Sequence, residues 1–189
     1  MLSQIRPALV ALALFTLLTG VLYPFAFTLV AQLAFPSQAN GSLITQNGQI
    51  VGSTLIGQPF TDPKYFWSRP SATAPFPYNA AASSGSNLAP TNPALVDAVQ
   101  ARINALHAAD PNNPAPIPVD LVTSAGSGLD PHISVAAAQY QIPRVARLRG
   151  IREDHLRALV NQYTEPPTFG ILGEPRVNVL QLNLALDAQ

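Results

Sequence analysis

From Ala8 to Ala34 the chain carries no charged residue, and fifteen of the positions between Leu9 and Phe35 are Leu, Val or Phe. Coiled as a helix, this stretch is about 40 Å long, enough to cross a hydrocarbon core of about 30 Å with some tilt. The apolar side chains outweigh the mild cost of Thr16, Thr19, Thr28 and Gln32. Gly20 and Pro24 are the predicted kink, and the predicted places where another helix packs closely. Ser37-Gln38-Ala39 has small residues at the spacing a signal peptidase favours. The apolar run is about twice the length of a signal h-region, however, so an uncleaved anchor is the better reading.

Beyond the anchor the pattern changes. Ser42–Gln46 and Gln49–Ile56 flank Asn47-Gly48, the strongest short hairpin signal. Gln58 to Pro93 is dense in Pro, Ser, Ala and Asn but also holds Phe60, Tyr65, Phe66, Trp67, Phe76 and Tyr78. That many rings predict a long ordered loop rather than a flexible linker. Asn92-Pro93 opens a helix with Leu95, Val99, Ile103 and Leu106 as its apolar stripe, ended by Asp110-Pro111. Val119–Thr123 reads as a strand. Ser134 caps a short helix through Ala138, and Pro143 begins another, basic one. Ile151–Tyr163 is amphipathic and stops at Pro166-Pro167. Asn178 and Gln181 have capping-box spacing, although the alternation of Leu182, Leu184 and Leu186 suits a strand equally. The expected architecture is a short cytoplasmic segment 1–7, a transmembrane helix 8–34, and one extracytoplasmic α+β domain, 35–189.

Charge gives the orientation and removes several functions. Arg6 precedes the span, and the next Lys or Arg is Lys64, so the positive-inside rule places the amino terminus in the cytoplasm. Net charge is zero and only 11% of residues are charged, which argues against nucleic acid as a partner. Nineteen prolines fit a surface lying against a partner and a loop-rich domain equally well. With no cysteine, disulfides and thiolate chemistry are excluded.

No catalytic constellation is legible. Lys64 is the only lysine and follows no Gly-rich turn, and Ser83–Ser86 and Ser124–Gly128 read as turns. Gly-x-Ser-x-Gly is absent. His107, His132 and His155 lie far apart, and Asp110, Asp120 and Asp130 sit at element boundaries. Arg144, Arg147, Arg149 and Arg152 form the one charge cluster, read as a solvated face or as salt bridges to a partner. The expectation is therefore no catalytic residue and no metal, with no cofactor-binding residue identifiable.

Several strings occur together in order: Trp67–Ser71, Gly85–Pro93, Ser127–Ser134, Pro143–Ala146, Gly150–Leu156 and Pro175–Asp187. With the single anchor they closely resemble the C subunit of the Kdp potassium-transporting ATPase, over essentially the whole chain. The resemblance implies a bacterial inner-membrane complex in which a channel-like subunit carries K+ and a P-type ATPase subunit hydrolyses ATP. It also implies membrane lipid around the span and a small single-helix subunit nearby. Family members are described as catalytic chaperones that raise the ATP affinity of the ATPase subunit. The expected contacts are Gly20 and Pro24 in the helix, and Trp67, Arg69, Tyr78, Asn79, Ser84, Gly85, Ser86 and Asn87 in the outer loop. A freestanding anchored enzyme or ligand-binding module is the alternative, and a departing assembly factor a third reading.

Overall fold

The structure, a computed structural model, describes residues 2–189. It forms two compact units, the first ending at Ile50 and the second spanning Val51–Gln189.

The first unit is dominated by one continuous helical stretch, Ile5–Ala34, none of it buried. It is composed of α1 (Ile5–Leu17), a wider π-helical turn at Leu18–Leu22, and α2 (Tyr23–Ala34). Pro24 lies in the first turn of α2. The π turn around Gly20 therefore absorbs the change of register, and the helix continues where a proline would otherwise break its ladder. A one-turn helix α3 (Pro36–Ala39) follows. The hairpin of β1 (Leu43–Gln46) and β2 (Gln49–Ser53) turns at Asn47 and Gly48, with φ of 51° and 77°, as a type I′ turn requires.

In the second unit, helix α4 (Pro93–Ala109) starts where Asn92 Oδ1 accepts the Ala94 N–H. Of its predicted stripe only Leu106 is fully buried; Leu95, Val99 and Ile103 are half-buried. Strands β3 (His132–Ser134), β5 (Arg176–Asn178) and β4 (Thr164–Glu165) form an antiparallel sheet in the order β3-β5-β4. Ile133 pairs with Val177, and both face the core. Helices α5 (Val135–Arg149), α6 (Glu153–Gln162) and α7 (Val179–Asp187) complete that core with Ile142, Val145, Leu156, Val160, Leu182 and Leu186.

Three expectations change. Val119–Thr123 is not a strand: Val119–Leu121 is a 3-10 turn in which the Leu121 N–H reaches the Pro118 carbonyl. Asp120 is drawn away by Ser134, whose N–H and hydroxyl both donate to its carboxylate. The short helix ending at Ala138 and the one starting at Pro143 are a single helix, α5, with Pro143 inside it. Pro143 leaves the Gln139 carbonyl without its helical donor, and Gln139 is exposed, so water can take that place. The Tyr140 carbonyl, next in line, accepts from Asn113 Nδ2. Finally, the carboxy-terminal alternation is a helix: Asn178 Oδ1 accepts the Gln181 N–H and starts α7.

Candidate functional site

The aromatic loop is ordered throughout, and the interior of the second unit holds it. Phe66 and Trp67 are buried in the core, and two buried carboxamides supply their backbone hydrogen bonds. Asn183 on α7 accepts from the Phe66 N–H at 2.9 Å and donates to the Phe66 carbonyl at 2.9 Å. Gln141 on α5 does the same for Trp67, at 2.7 and 3.2 Å. Every backbone polar group of this buried dipeptide thus has a partner, as burial demands.

Trp67 is only 6% exposed. Its indole N–H donates to the Asp62 carbonyl, and the guanidinium groups of Arg102 and Arg144 lie over its ring, 4.9 and 4.5 Å from the centroid. A ring so enclosed is held by the chain itself, and it fixes the course of the loop through the core. Burial pulls the Arg144 guanidinium down to about 10, still cationic near neutrality. Arg144 also donates to the Tyr65 carbonyl and to Gln141.

The rest of the arginine cluster is likewise spent within the chain. Arg147 pairs with buried Asp110 at 2.8 Å, Arg149 with Asp187 at 2.7 Å, and Arg152 with Asp154 at 2.5 Å. Arg147 and Arg152 are exposed, as a solvated face requires, whereas Arg144 is buried and Arg149 largely covered.

Further along, hydroxyls replace secondary structure. Ser71 Oγ donates to the Gly128 carbonyl and accepts the Tyr78 N–H, while the Tyr78 hydroxyl donates to the Arg69 carbonyl at 2.6 Å. Thr73 Oγ1 donates to the Phe76 carbonyl and accepts the Asn79 N–H. The two Ser/Gly strings read as separate turns come together here, with the Ser84 N–H donating to the Ser127 carbonyl. At Gly85 a Cβ would lie 2.9 Å from the Gly126 carbonyl oxygen, and at Gly128, with φ of 66°, one would lie 2.6 Å from that of Ser84. Only glycine permits this approach. The expected contact residues of the loop therefore form one platform: Arg69, Tyr78, Asn79 and Gly85 half-buried as its support and Ser84, Ser86 and Asn87 exposed, with Phe76, whose carbonyl Thr73 holds, also exposed. Gly20 and Pro24 belong to the first unit and are exposed on its helix.

Beside the platform is an open cleft of about 580 Å³, on whose wall Arg69, Asp130, His132 and Arg176 belong to one chain of ion pairs that runs through Glu165. Arg69 pairs with Asp130 at 3.3 Å, His132 stands between Asp130 and Glu165 at 3.3 and 3.7 Å, and Arg176 holds Glu165 at 3.0 Å. Burial pushes the Asp130 carboxyl up, but the hydrogen bonds of His132 and the nearby Arg69 outweigh it and leave it below its ordinary value. A carboxyl so held stabilises the fold fully above about pH 4 and loses that contribution as pH falls through its folded value. Asp130→Asn is expected to lower the melting temperature at pH 7, with the gap to wild type closing as pH falls below about 4. Melting curves of the full chain in detergent across that range check it. Among the described residues no group of three His, Asp or Glu side chains is placed to hold a metal ion.

Sequence reasoning missed Gln141 and Asn183. Both are amides at positions where the helical period asks for an apolar residue: Asn183 falls between Leu182 and Leu186 on the buried side of α7, and Gln141 beside Ile142 on α5.

Among the described residues one helix is long and apolar enough to cross a membrane, and it precedes an α+β domain whose polar side chains fix a long loop: the build of a membrane-anchored α+β protein. Comparison makes that specific. Residues 5–188 match the family model KdpC, described as K+-transporting ATPase, c chain. A potassium-transporting ATPase KdpC subunit from Methylococcus capsulatus is 63% identical over 188 residues, covering 100% of this chain and 99% of the relative. One from Sorangium cellulosum is 62% identical over 187 residues, covering 99% and 98%. One from Polaromonas naphthalenivorans is 66% identical over 184 residues, covering 97% and 94%. The chain belongs to the KdpC family.

Proposed function

We propose that this chain is the accessory, non-catalytic subunit of an ATP-driven potassium uptake complex in the bacterial inner membrane, required for assembly and activity. Its relatives are named as subunits of a potassium-transporting ATPase. The observation that carries a contact role is the platform: a loop without regular secondary structure, fixed from within by Gln141, Asn183, Arg102 and Ser71, with Ser84–Asn87 on its outer edge. Such a surface is pre-organised, so binding does not carry the entropic cost of ordering it.

In this reading K+ passes through a channel-like partner and ATP is bound by a P-type ATPase partner. The helix packs among their spans at Gly20 and Pro24, beside a small single-helix subunit and lipid. The amino terminus is cytoplasmic, as Arg6 favours, and the second unit is periplasmic, with its platform against the channel-like subunit near the ion entrance. An influence on ATP affinity would then travel through the helix, because the membrane separates the domain from cytoplasmic nucleotide.

Purified complexes carrying Phe76→Asp or Asn87→Trp are expected to retain this subunit about tenfold less well, with matching loss of potassium uptake at low external concentration. Wild-type retention and uptake for both would overturn the platform assignment. Absence of the subunit from the active pump would overturn the subunit reading itself. Single cysteines introduced into this cysteine-free chain, labelled with an impermeant reagent, give the orientation.

A further inference from the structure

The segment joining β4 to β5 presents apolar side chains that the platform does not account for. Thr168 and Leu172 exchange both backbone hydrogen bonds, at 2.9 and 3.0 Å, and the Gly170 N–H closes on the Pro167 carbonyl at 2.9 Å. The result is a closed tip, and its side chains point away from the domain. Phe169 is 88% exposed, Ile171 81% and Leu172 57%, and none of the three joins the core cluster. Phe169 also has a φ of 55°, a conformation a bulky residue adopts at a cost. Neighbouring large apolar groups held outward on a strained, hydrogen-bonded turn mark a contact surface.

The charge around the tip selects the occupant. Between Pro166 and Pro175 the only charged residue is Glu174; at the base Glu165 is paired with Arg176 at 3.0 Å, so the uncompensated charge beside the tip is the Glu174 carboxylate. Wedges that enter an anionic lipid surface are flanked by basic residues, and carboxylates oppose that contact. A second copy of the chain fits no better. Three side chains fall far short of the roughly 800 Å² per partner of a stable interface, and a tip-to-tip pair would bring like charges together. A small apolar plug with one uncompensated carboxylate beside it, Glu174, suits a protein already held nearby by other contacts. There it fills one socket lined by apolar groups and edged by neutral or basic ones.

We infer that the Thr168–Leu172 tip is a plug for an apolar socket on another protein subunit of the same complex, separate from the Ser84–Asn87 edge. This rests on the subunit reading above. The test replaces Phe169 with the photoreactive benzoylphenylalanine in the assembled full-length complex in native membranes. Irradiation is expected to join the chain to a protein subunit, and Phe169→Ser with Ile171→Ser to weaken its retention about tenfold. Phe169→Gly provides the control for folding. It relieves the positive φ, so the melting temperature of the chain is expected to hold or rise while retention falls. Cross-links to lipid alone, or none, with the chain still co-purifying, overturn the plug and leave the subunit reading intact. So does undiminished retention of the Phe169→Gly chain. Failure of the unsubstituted chain to co-purify overturns both.

Discussion

Trp67→Ala is expected to destabilise the second unit by about 3–5 kcal/mol, the range for truncating a large buried aromatic residue. Trp67 is 6% exposed and packs in the main core cluster, so truncation leaves a cavity the surroundings cannot readily close. Two further losses come with it. The Arg102 and Arg144 guanidiniums lose the ring they lie over, a contact worth about 0.5–2 kcal/mol each. Arg144, 2% exposed, then remains in the interior with less to compensate its charge. A domain of this size has about 5–15 kcal/mol in hand, so the variant sits near the limit of folding. Urea unfolding of the full chain in detergent measures the loss. Trp67→Phe, which keeps much of the volume and a ring face, is expected to recover about half of it. On the subunit reading, the same truncation to alanine is expected to weaken retention in the complex through the loop that the ring holds in place.

Trp67 also shows how far the sequence could be read. Its neighbourhood of aromatic residues predicts an ordered loop correctly, because rings in such number need something to pack on. Whether a given ring packs inward or outward depends on tertiary partners far along the chain, here Arg102 and Arg144, which no local pattern announces. The arginine cluster is half legible: Arg147 and Arg152 are exposed as a solvated face would be, but Asp110, the partner of Arg147, lies 37 residues from it, and Asp187, the partner of Arg149, lies 38. The span, the Asn-Gly hairpin and the caps at Asn92, Ser134 and Asn178 are legible because their causes lie within a few residues. Pro143 shows a local signal outvoted. Proline discourages a continuous helix, yet buried residues on both sides of it, Ile142 and Val145 among them, gain more from α5 remaining whole. The platform is partly legible: its residues stand out in the sequence, but the pairing of Ser84 with Ser127 arises only in the fold.

Asn183→Leu is expected to cost about 2–6 kcal/mol, although the two side chains are of similar size. Asn183 is 1% exposed and Phe66 fully buried, so the substitution strands a backbone N–H and a carbonyl where water cannot reach them. Each unmet group costs about 1–3 kcal/mol, and the added apolar surface offsets only part of that. Asn183→Asp separates this account from a simple packing defect. The introduced carboxylate still accepts from the Phe66 N–H but faces the Phe66 carbonyl with a lone pair in place of a donor. Protonation restores the donor, so the fold binds that proton more tightly than the unfolded chain and raises the carboxyl pKa. Stability of the variant relative to wild type is then greatest below about pH 4 and is lost as pH rises through the folded value. This is opposite in sign to the behaviour expected for Asp130. A relative stability of Asn183→Asp that stays flat from about pH 7 to 4 would mean that the bracket around Phe66 is packing alone. Recovery on acidification would establish that two amides, placed where helix periodicity asks for leucine, hold the loop on which the platform is built.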